Sequence, residues 1–214
     1  MKVCYEDCLE LISWLWDLNE DRNNPYEIAI NNRTPENVAE FLCKWNKVRR
    51  YSKERLIEKI REKEGNLKNS PKDLKDYLKI INRLLKEVTR KSDDECIGSI
   101  KLAHIYHPQM FPLLDNNIIK YFKLQNFKDF GEFLEKYFLF KNAIDKCLDE
   151  LYIKEINLKN RSIYKLIDEI LYLYITQKKQ DVVEKILVLA NKTICVFLIE
   201  KLINCIKEHL KNNF

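Results

Sequence analysis

The sequence predicts an all-α protein, a compact multi-helix chain of about nine to eleven helices. Only three glycines and five prolines occur in 214 residues, too few for a turn-rich β-sandwich or a Gly-rich nucleotide-binding fold. Apolar residues recur at helical spacing along almost the whole chain. With 46% hydrophobic and 33% charged residues, the chain can bury a core beneath a solvated surface. We expect one helical domain over residues 1–214, or two lobes at 1–91 and 92–214.

Local start and stop signals divide the first part of the chain into helices. A first helix is expected over residues 2–18. Thr34–Pro35 predicts a helix start, because proline at the first helical position needs no backbone partner. Ser52 begins a further helix, which is expected to end near Gly65–Asn66. Ser70–Pro71 combines an N-cap residue with a first-turn proline, so the next helix is predicted to begin there.

The second part of the chain carries signals of the same kind. Residues 92–95 read as a capping box that opens a helix, and Pro108 stops it. The helical pattern resumes at Asp115 and restarts near Ser162. A long helix is expected over residues 181–210.

The opening of the chain and its apolar content point to a cytoplasmic protein without a membrane segment. The first residues place acids where a signal peptide needs an apolar run. The longest apolar region, residues 186–206, is interrupted by Asn, Lys and Glu and is too polar to span a bilayer.

Cysteine and histidine spacing favours no cofactor and no metal site. The seven cysteines include no C-x-x-C pair, so buried free thiols are the expected state. His104 and His107 lie three residues apart, which is permissible ligand spacing, but a packed or surface pair is the simpler interpretation. His209 suits the C-terminal end of a helix electrostatically. The adjacent acids Asp168 and Glu169 are expected on a solvated face.

Charge is concentrated in one block. Residues 44–91 hold seventeen Lys/Arg against seven Asp/Glu, a net charge of +10, although the whole chain carries +5. Such a block favours an acidic partner such as DNA. The candidate backbone-binding residues at its start are Arg49, Arg50, Lys53 and Arg55. The alternative is a lysine-rich helix face that is merely solvated.

One segment resembles a known family. Residues 111–120 read FPLLDNNIIK, and the surrounding residues 97–122 resemble the central segment of the helix-hairpin-helix base-excision DNA glycosylases. The resemblance implies that Asp115 is the catalytic carboxylate, which stabilises the cationic sugar or activates the nucleophile. It also places Lys120 where the family has an arginine, so Lys120 joins the candidate DNA-binding residues.

The chain departs from that family in two functional parts. The position of the family's lyase lysine falls at Ile97, so the resemblance implies base removal without strand cleavage, if catalysis is retained. Residues 92–95 replace the glycine hairpin with three acids, which repel phosphate. Independently of any chemistry, Asp115 is a good N-cap residue.

Two functions from different classes therefore remain. The first is a DNA-binding protein distantly like the helix-hairpin-helix glycosylases, with or without catalysis. The second is a non-enzymatic helical module that binds a protein partner or a second copy of itself. Its interface would be the aromatic segment 122–140 or the apolar helix 182–206. A concave cleft with Asp115 exposed at its floor and a basic rim favours the first function. An Asp115 side chain bonded to the amides of Asn117 or Ile118, with no cleft in front of it, favours the second.

Overall fold

The computed structural model describes residues 25–45, 52–89, 94–151, 162–176 and 193–211. Within these ranges the chain forms nine α-helices and no β-sheet, which confirms the all-α class. The helices are α1 (Pro25–Asn31), α2 (Pro35–Trp45), α3 (Lys53–Lys68), α4 (Leu74–Val88), α5 (Cys96–Tyr106), α6 (Asn116–Tyr121), α7 (Phe130–Glu150), α8 (Ile163–Leu171) and α9 (Thr193–Lys211). A π-helical turn, Tyr172–Thr176, continues α8. The helix expected over residues 2–18 lies outside the described residues.

The chain contains two compact units. One, here called the 20–114 unit, spans residues 20–114 together with 127–133 and holds α1 to α5. The other, the 115–214 unit, includes residues 115–126 and 134–214, and it holds α6, α8, α9 and α7 from Leu134 onward. The 20–114 unit thus contains residues from both of the predicted lobes, 1–91 and 92–214. Whether the whole chain behaves as one domain stays a prediction.

Several helix starts fall where the sequence places them. Helix α2 begins at Pro35, and the hydroxyl of Thr34 accepts a hydrogen bond from the backbone N–H of Asn37. The side chains of Ser52 and Ser162 cap α3 and α8 in the same way. These signals are reliable because a short polar side chain satisfies amides only two or three residues away.

Two predicted boundaries of α3 and α4 are wrong. Helix α3 does not end near Gly65–Asn66 but continues to Lys68. The two further residues include Leu67, which is buried and whose backbone carbonyl accepts a hydrogen bond from the Tyr77 hydroxyl at 2.8 Å. Helix α4 is capped by Asp73 rather than Ser70, because the Asp73 carboxylate accepts from the amide of Asp76 at 2.8 Å.

The start of α5 also differs from the prediction. Its N-cap is Glu95, which makes no side-chain capping bond, and the helix begins at Cys96 rather than directly after Ser92. Ser92 and Asp93 of the expected capping box lie outside the described residues. Asp94 accepts hydrogen bonds from Asn82 at 2.9 Å and Lys86 at 3.1 Å on α4. The residue before the N-cap is thus bonded to the preceding helix.

Helix α5 lies at the centre of the 20–114 unit. Every residue from Gly98 to Tyr106 is buried, and the helix packs against α1, α2, α3 and α4. The ammonium of Lys101 reaches the backbone carbonyl of Trp45 at 3.0 Å, so its charge is not left without an acceptor. Pro108 follows the end of this helix, as expected.

The 115–214 unit is held together by apolar side chains from all of its described helices. Helix α6 packs against the π-helical turn after α8. Helices α7 and α9 are linked covalently through Cys147 and Cys205, whose Cα atoms are 5.9 Å apart. None of the described helices combines the length and the apolar character that crossing a bilayer requires.

Candidate functional site

Asp115 lies at the start of α6 and caps it. Its Oδ1 atom accepts hydrogen bonds from the backbone amides of Asn117 and Ile118, each at 2.8 Å. Its side chain is partly exposed. One oxygen of the proposed catalytic carboxylate is thus held by the helix that follows it.

The residues before Asp115 anchor the loop in the 20–114 unit. Phe111, Leu113 and Leu114 are all buried. The carbonyl oxygen of Phe111 lies 2.6 Å from Nδ1 of His104, and a carbonyl can only accept, so this nitrogen carries the proton. Nε2 of His104 then accepts from the Tyr26 hydroxyl at 2.9 Å. Residues 111–114 of the resembling segment are therefore fixed within this unit by packing and by one histidine whose two ring nitrogens are both hydrogen-bonded.

The other histidine of the pair is also structural. His107 Nε2 donates to the backbone carbonyl of Leu67 at 2.9 Å, and its ring contacts the ring of Tyr77 edge-on. Burial lowers the pKa of His107 below its ordinary value. His104 and His107 thus contact different partners, and each is packed against its own neighbours.

Lys120 belongs to the same short helix as Asp115. It is exposed near the C-terminal end of α6. Ile97, at the position of the family's lyase lysine, lies in the first turn of α5 and is half-buried. The described structure thus places Asp115 and Lys120 on one element.

Helix α3, which carries the first part of the basic block, is largely neutralised. Lys53 and Lys44 both pair with Glu40, and their hydrogen bonds hold the pKa of that carboxyl below its ordinary value. Arg61 pairs with Glu36 at 2.6 Å. Two further lysines of α3 also form ion pairs. Lys59 pairs with Glu62 of the same helix and with Glu87 of α4, and Lys68 pairs with Glu64 of the same helix.

Two of the predicted DNA-binding residues lie together in the first turn of α3. Lys53 and Arg55 are both exposed. Arg55 has no carboxylate within 4 Å among the described residues, in contrast to Lys53. Arg49 and Arg50 lie outside the described residues.

Helix α4 carries an aligned row of cations that the sequence alone did not single out. Lys75, Lys79, Arg83 and Lys86 are all exposed, and their spacing of four, four and three residues places them along one face. We call this row the α4 basic face. Exposed ion pairs join Lys79 to Asp76 at 3.0 Å and Lys86 to Asp94 at 3.1 Å. Arg83 has no such partner among the described residues.

A cluster of cysteine, histidine and glutamate in the 115–214 unit was not predicted. Cys147 and Glu150 come from the last turns of α7, and Cys205 and His209 come from α9. One ligand atom from each of Cys147, Cys205 and His209 lies within 4.8 Å of the other two. The Glu150 carboxylate lies 2.8 Å from His209 Nε2 and 3.5 Å from Cys205 Sγ. We call these four residues the α7–α9 cluster.

Cys147 and Cys205 form a disulfide bond, so the expectation of free thiols is wrong for these two cysteines. Among the described residues Cys43 and Cys96 are free, as expected. Burial raises the pKa of the Cys96 thiol to about 12. The sequence signal that could have indicated the cluster is Cys205-x-x-x-His209, which places two ligands on one face of a helix.

The expectation for Asp168 and Glu169 is wrong as well. Both are buried on α8 beside Lys165, which is itself fully buried. The Lys165 ammonium lies 2.9 Å from the Asp168 carboxylate and 3.7 Å from that of Glu169. Adjacent acids can both be buried because one lysine at i−3 and i−4 faces them.

Comparisons of the chain with protein-family models, with curated proteins and with solved structures find no match. The resemblance to the helix-hairpin-helix glycosylases therefore rests on residues 97–122 alone.

Proposed function

We propose that the chain binds the phosphate backbone of DNA through the α4 basic face, without removing bases. The observation that carries the proposal is the alignment of Lys75, Lys79, Arg83 and Lys86 on the exposed side of one helix. From the first to the last of these cations the helix rises about 16 Å. That length matches four to five phosphates of one strand, at about 3.4 Å of axis each.

The ion pairs on this face are compatible with the proposal. Exposed lysine–carboxylate pairs contribute about 0–1 kcal/mol, so Lys79 and Lys86 can exchange Asp76 and Asp94 for phosphate at little cost. Arg83 has no such carboxylate partner among the described residues. Helix α3 carries exposed ion pairs of the same kind, Lys53 with Glu40 and Arg61 with Glu36, but it supports binding less, because its six cations do not share one face.

Two features of the resembling segment limit the chemistry that we propose. Ile97 offers no amine for Schiff-base chemistry, which excludes strand cleavage by that route but not base removal. Asp115 is engaged with two backbone amides, an arrangement that a helix cap explains completely. The proposal thus keeps the DNA-binding part of the resemblance and treats its catalytic part as lost.

The test is fluorescence anisotropy with a short labelled duplex at about 50 and 200 mM salt. If four cations contact phosphate, the logarithmic salt slope is about −3.6, and binding weakens roughly 150-fold over this range. Lys79→Gln with Arg83→Gln halves the slope, so the same change in salt then weakens binding only about 12-fold.

The matched control removes the same charge elsewhere. Lys146 and Lys201 are exposed on α7 and α9, so Lys146→Gln with Lys201→Gln has the same net charge as the test variant. We expect this control to keep the wild-type salt slope. No binding at the lower salt, or an equal loss in both double variants, would overturn the proposal.

The interaction-module alternative receives less support from the described residues. In the aromatic segment 122–140, Phe122, Phe130, Phe133, Tyr137 and Phe140 are buried, so this segment is mostly core. The helix expected over 182–206 is described only from Thr193.

A further inference from the structure

We propose that the α7–α9 cluster binds one Zn²⁺ ion when its two cysteines are reduced. The protein ligands are Cys147, Cys205 and His209, and the carboxylate of Glu150 completes the set. This inference is independent of DNA binding, because all four residues lie in the 115–214 unit and none belongs to the α4 basic face.

The geometry of the donor atoms supports a metal site. In a tetrahedral site with zinc–sulfur bonds of about 2.3 Å, two sulfur ligands lie about 3.8 Å apart. The ligand atoms of Cys147, Cys205 and His209 are already within 4.8 Å of one another. Small side-chain rotations therefore bring them into coordination distance once the sulfur–sulfur bond is absent.

The fourth ligand is placed by helix periodicity. Glu150 follows Cys147 by three residues on α7, and His209 follows Cys205 by four on α9, so each helix presents two donors on one face. Glu150 already contacts the other helix, at 2.8 Å from His209 Nε2. The donor pair of α7 is thus in contact with the donor pair of α9.

The donor types select the metal. Two thiolates, one imidazole and one carboxylate form a borderline-soft set, which suits Zn²⁺ better than Mg²⁺ or Ca²⁺. Binding releases one proton from each thiol, and the two sulfur–metal bonds replace two S–H bonds without any change of oxidation state. The disulfide form has no thiolate to offer, so only the reduced chain binds.

The experiment uses the full chain, reduced with a phosphine and then freed of reductant. Zn²⁺ is titrated in competition with a chromophoric chelator, and Co²⁺ is used as a spectroscopic probe. We expect one equivalent of metal per reduced chain, with the thiolate charge-transfer and d–d bands of tetrahedral Co²⁺. The oxidised wild-type chain has the same sequence and is expected to bind none.

Three substitutions locate the site. Cys205→Ser is expected to abolish stoichiometric binding and the thiolate bands. Glu150→Gln keeps the other three ligands, so it is expected to keep the stoichiometry and to weaken the affinity. Cys43→Ser is the matched control, because it removes a free thiol of the other unit. Circular dichroism of each variant checks that it is folded.

The outcomes are distinct. A reduced wild-type chain that leaves Zn²⁺ with the chelator overturns the proposal, whatever the variants do. Thiolate bands that persist in Cys205→Ser, or that disappear equally in Cys43→Ser, place the metal elsewhere and also overturn it.

Discussion

Replacement of Asp115 separates its role as a helix cap from a role in catalysis. Asp115→Ala removes both hydrogen bonds that begin α6. Loss of an N-cap side chain costs about 0.5–2 kcal/mol. We expect the upper part of that range, about 1.5–2 kcal/mol, because one charged oxygen serves two amides of the helix.

Asp115→Asn keeps an acceptor oxygen at the same place and loses only the negative charge. A charge at a helix N-terminus contributes about 0.3–1 kcal/mol, so the asparagine variant is expected to lose no more than that. For a chain of this size 1 kcal/mol corresponds to roughly 2–4 °C in Tm. The alanine variant should therefore melt about 3–8 °C lower than wild type.

The assay is thermal and urea unfolding followed by circular dichroism, with base release from damaged duplexes measured on the same preparations. A cap predicts the stability order wild type, asparagine, alanine, with no base release by any of the three proteins. An alanine variant as stable as wild type would refute the capping argument. Base release by wild type that Asp115→Asn abolishes at unchanged stability would instead identify a catalytic carboxylate.

Three further substitutions test the packing. Gly65→Ala should stabilise the chain by about 0.5–1 kcal/mol in urea unfolding, because the position is helical and an added Cβ meets nothing within 4 Å. A loss would mean that the helix ends there after all. Burial lowers the pKa of His107 in the folded chain, so the folded state favours the neutral imidazole. This contribution to the free energy of unfolding is complete above about pH 6.5, the pKa of an unfolded histidine, and is lost as the pH falls through the lower folded pKa. Between about pH 7.5 and pH 5, His107→Gln should therefore lose less free energy of unfolding than wild type, and equal losses would contradict this origin. Lys165→Met should cost about 3–5 kcal/mol, since it removes the cation that two buried carboxylates face, and a loss below about 1 kcal/mol would show that the acids are compensated without it.

The sequence predicted the fold class and those helix starts that depend on neighbouring residues. Pro35, Ser52, Asp115 and Ser162 each mark a start in the structure. Such signals succeed because the capping group and the amides it satisfies are only a few residues apart. The same locality explains why the sequence alone identifies Asp115 as a helix cap.

Boundaries and contacts that depend on distant residues were not predictable. Leu67 extends α3 past Gly65 because its burial and its bond to Tyr77 come from tertiary packing. Cys147 and Cys205 are 58 residues apart, and no periodicity in the sequence relates them. Spacing rules detect two ligand residues that lie on one helix. The α7–α9 cluster combines one such pair from α7 with another from α9, and the sequence does not show that the two pairs meet.

The positive charge of the block 44–91 is a poor guide to a binding surface until its carboxylates are placed. Lys53 and Arg61 on α3 face Glu40 and Glu36 of the preceding helix, so a phosphate near them would meet negative charge as well. On α4 the cations share one face, and Arg83 has no carboxylate partner among the described residues. Carboxylates also pair with Lys79 and Lys86 on α4, so the difference between the two helices is that the cations of α4 are aligned along one face. For this reason the proposed DNA contact rests on α4, although the sequence drew attention first to residues 49–55.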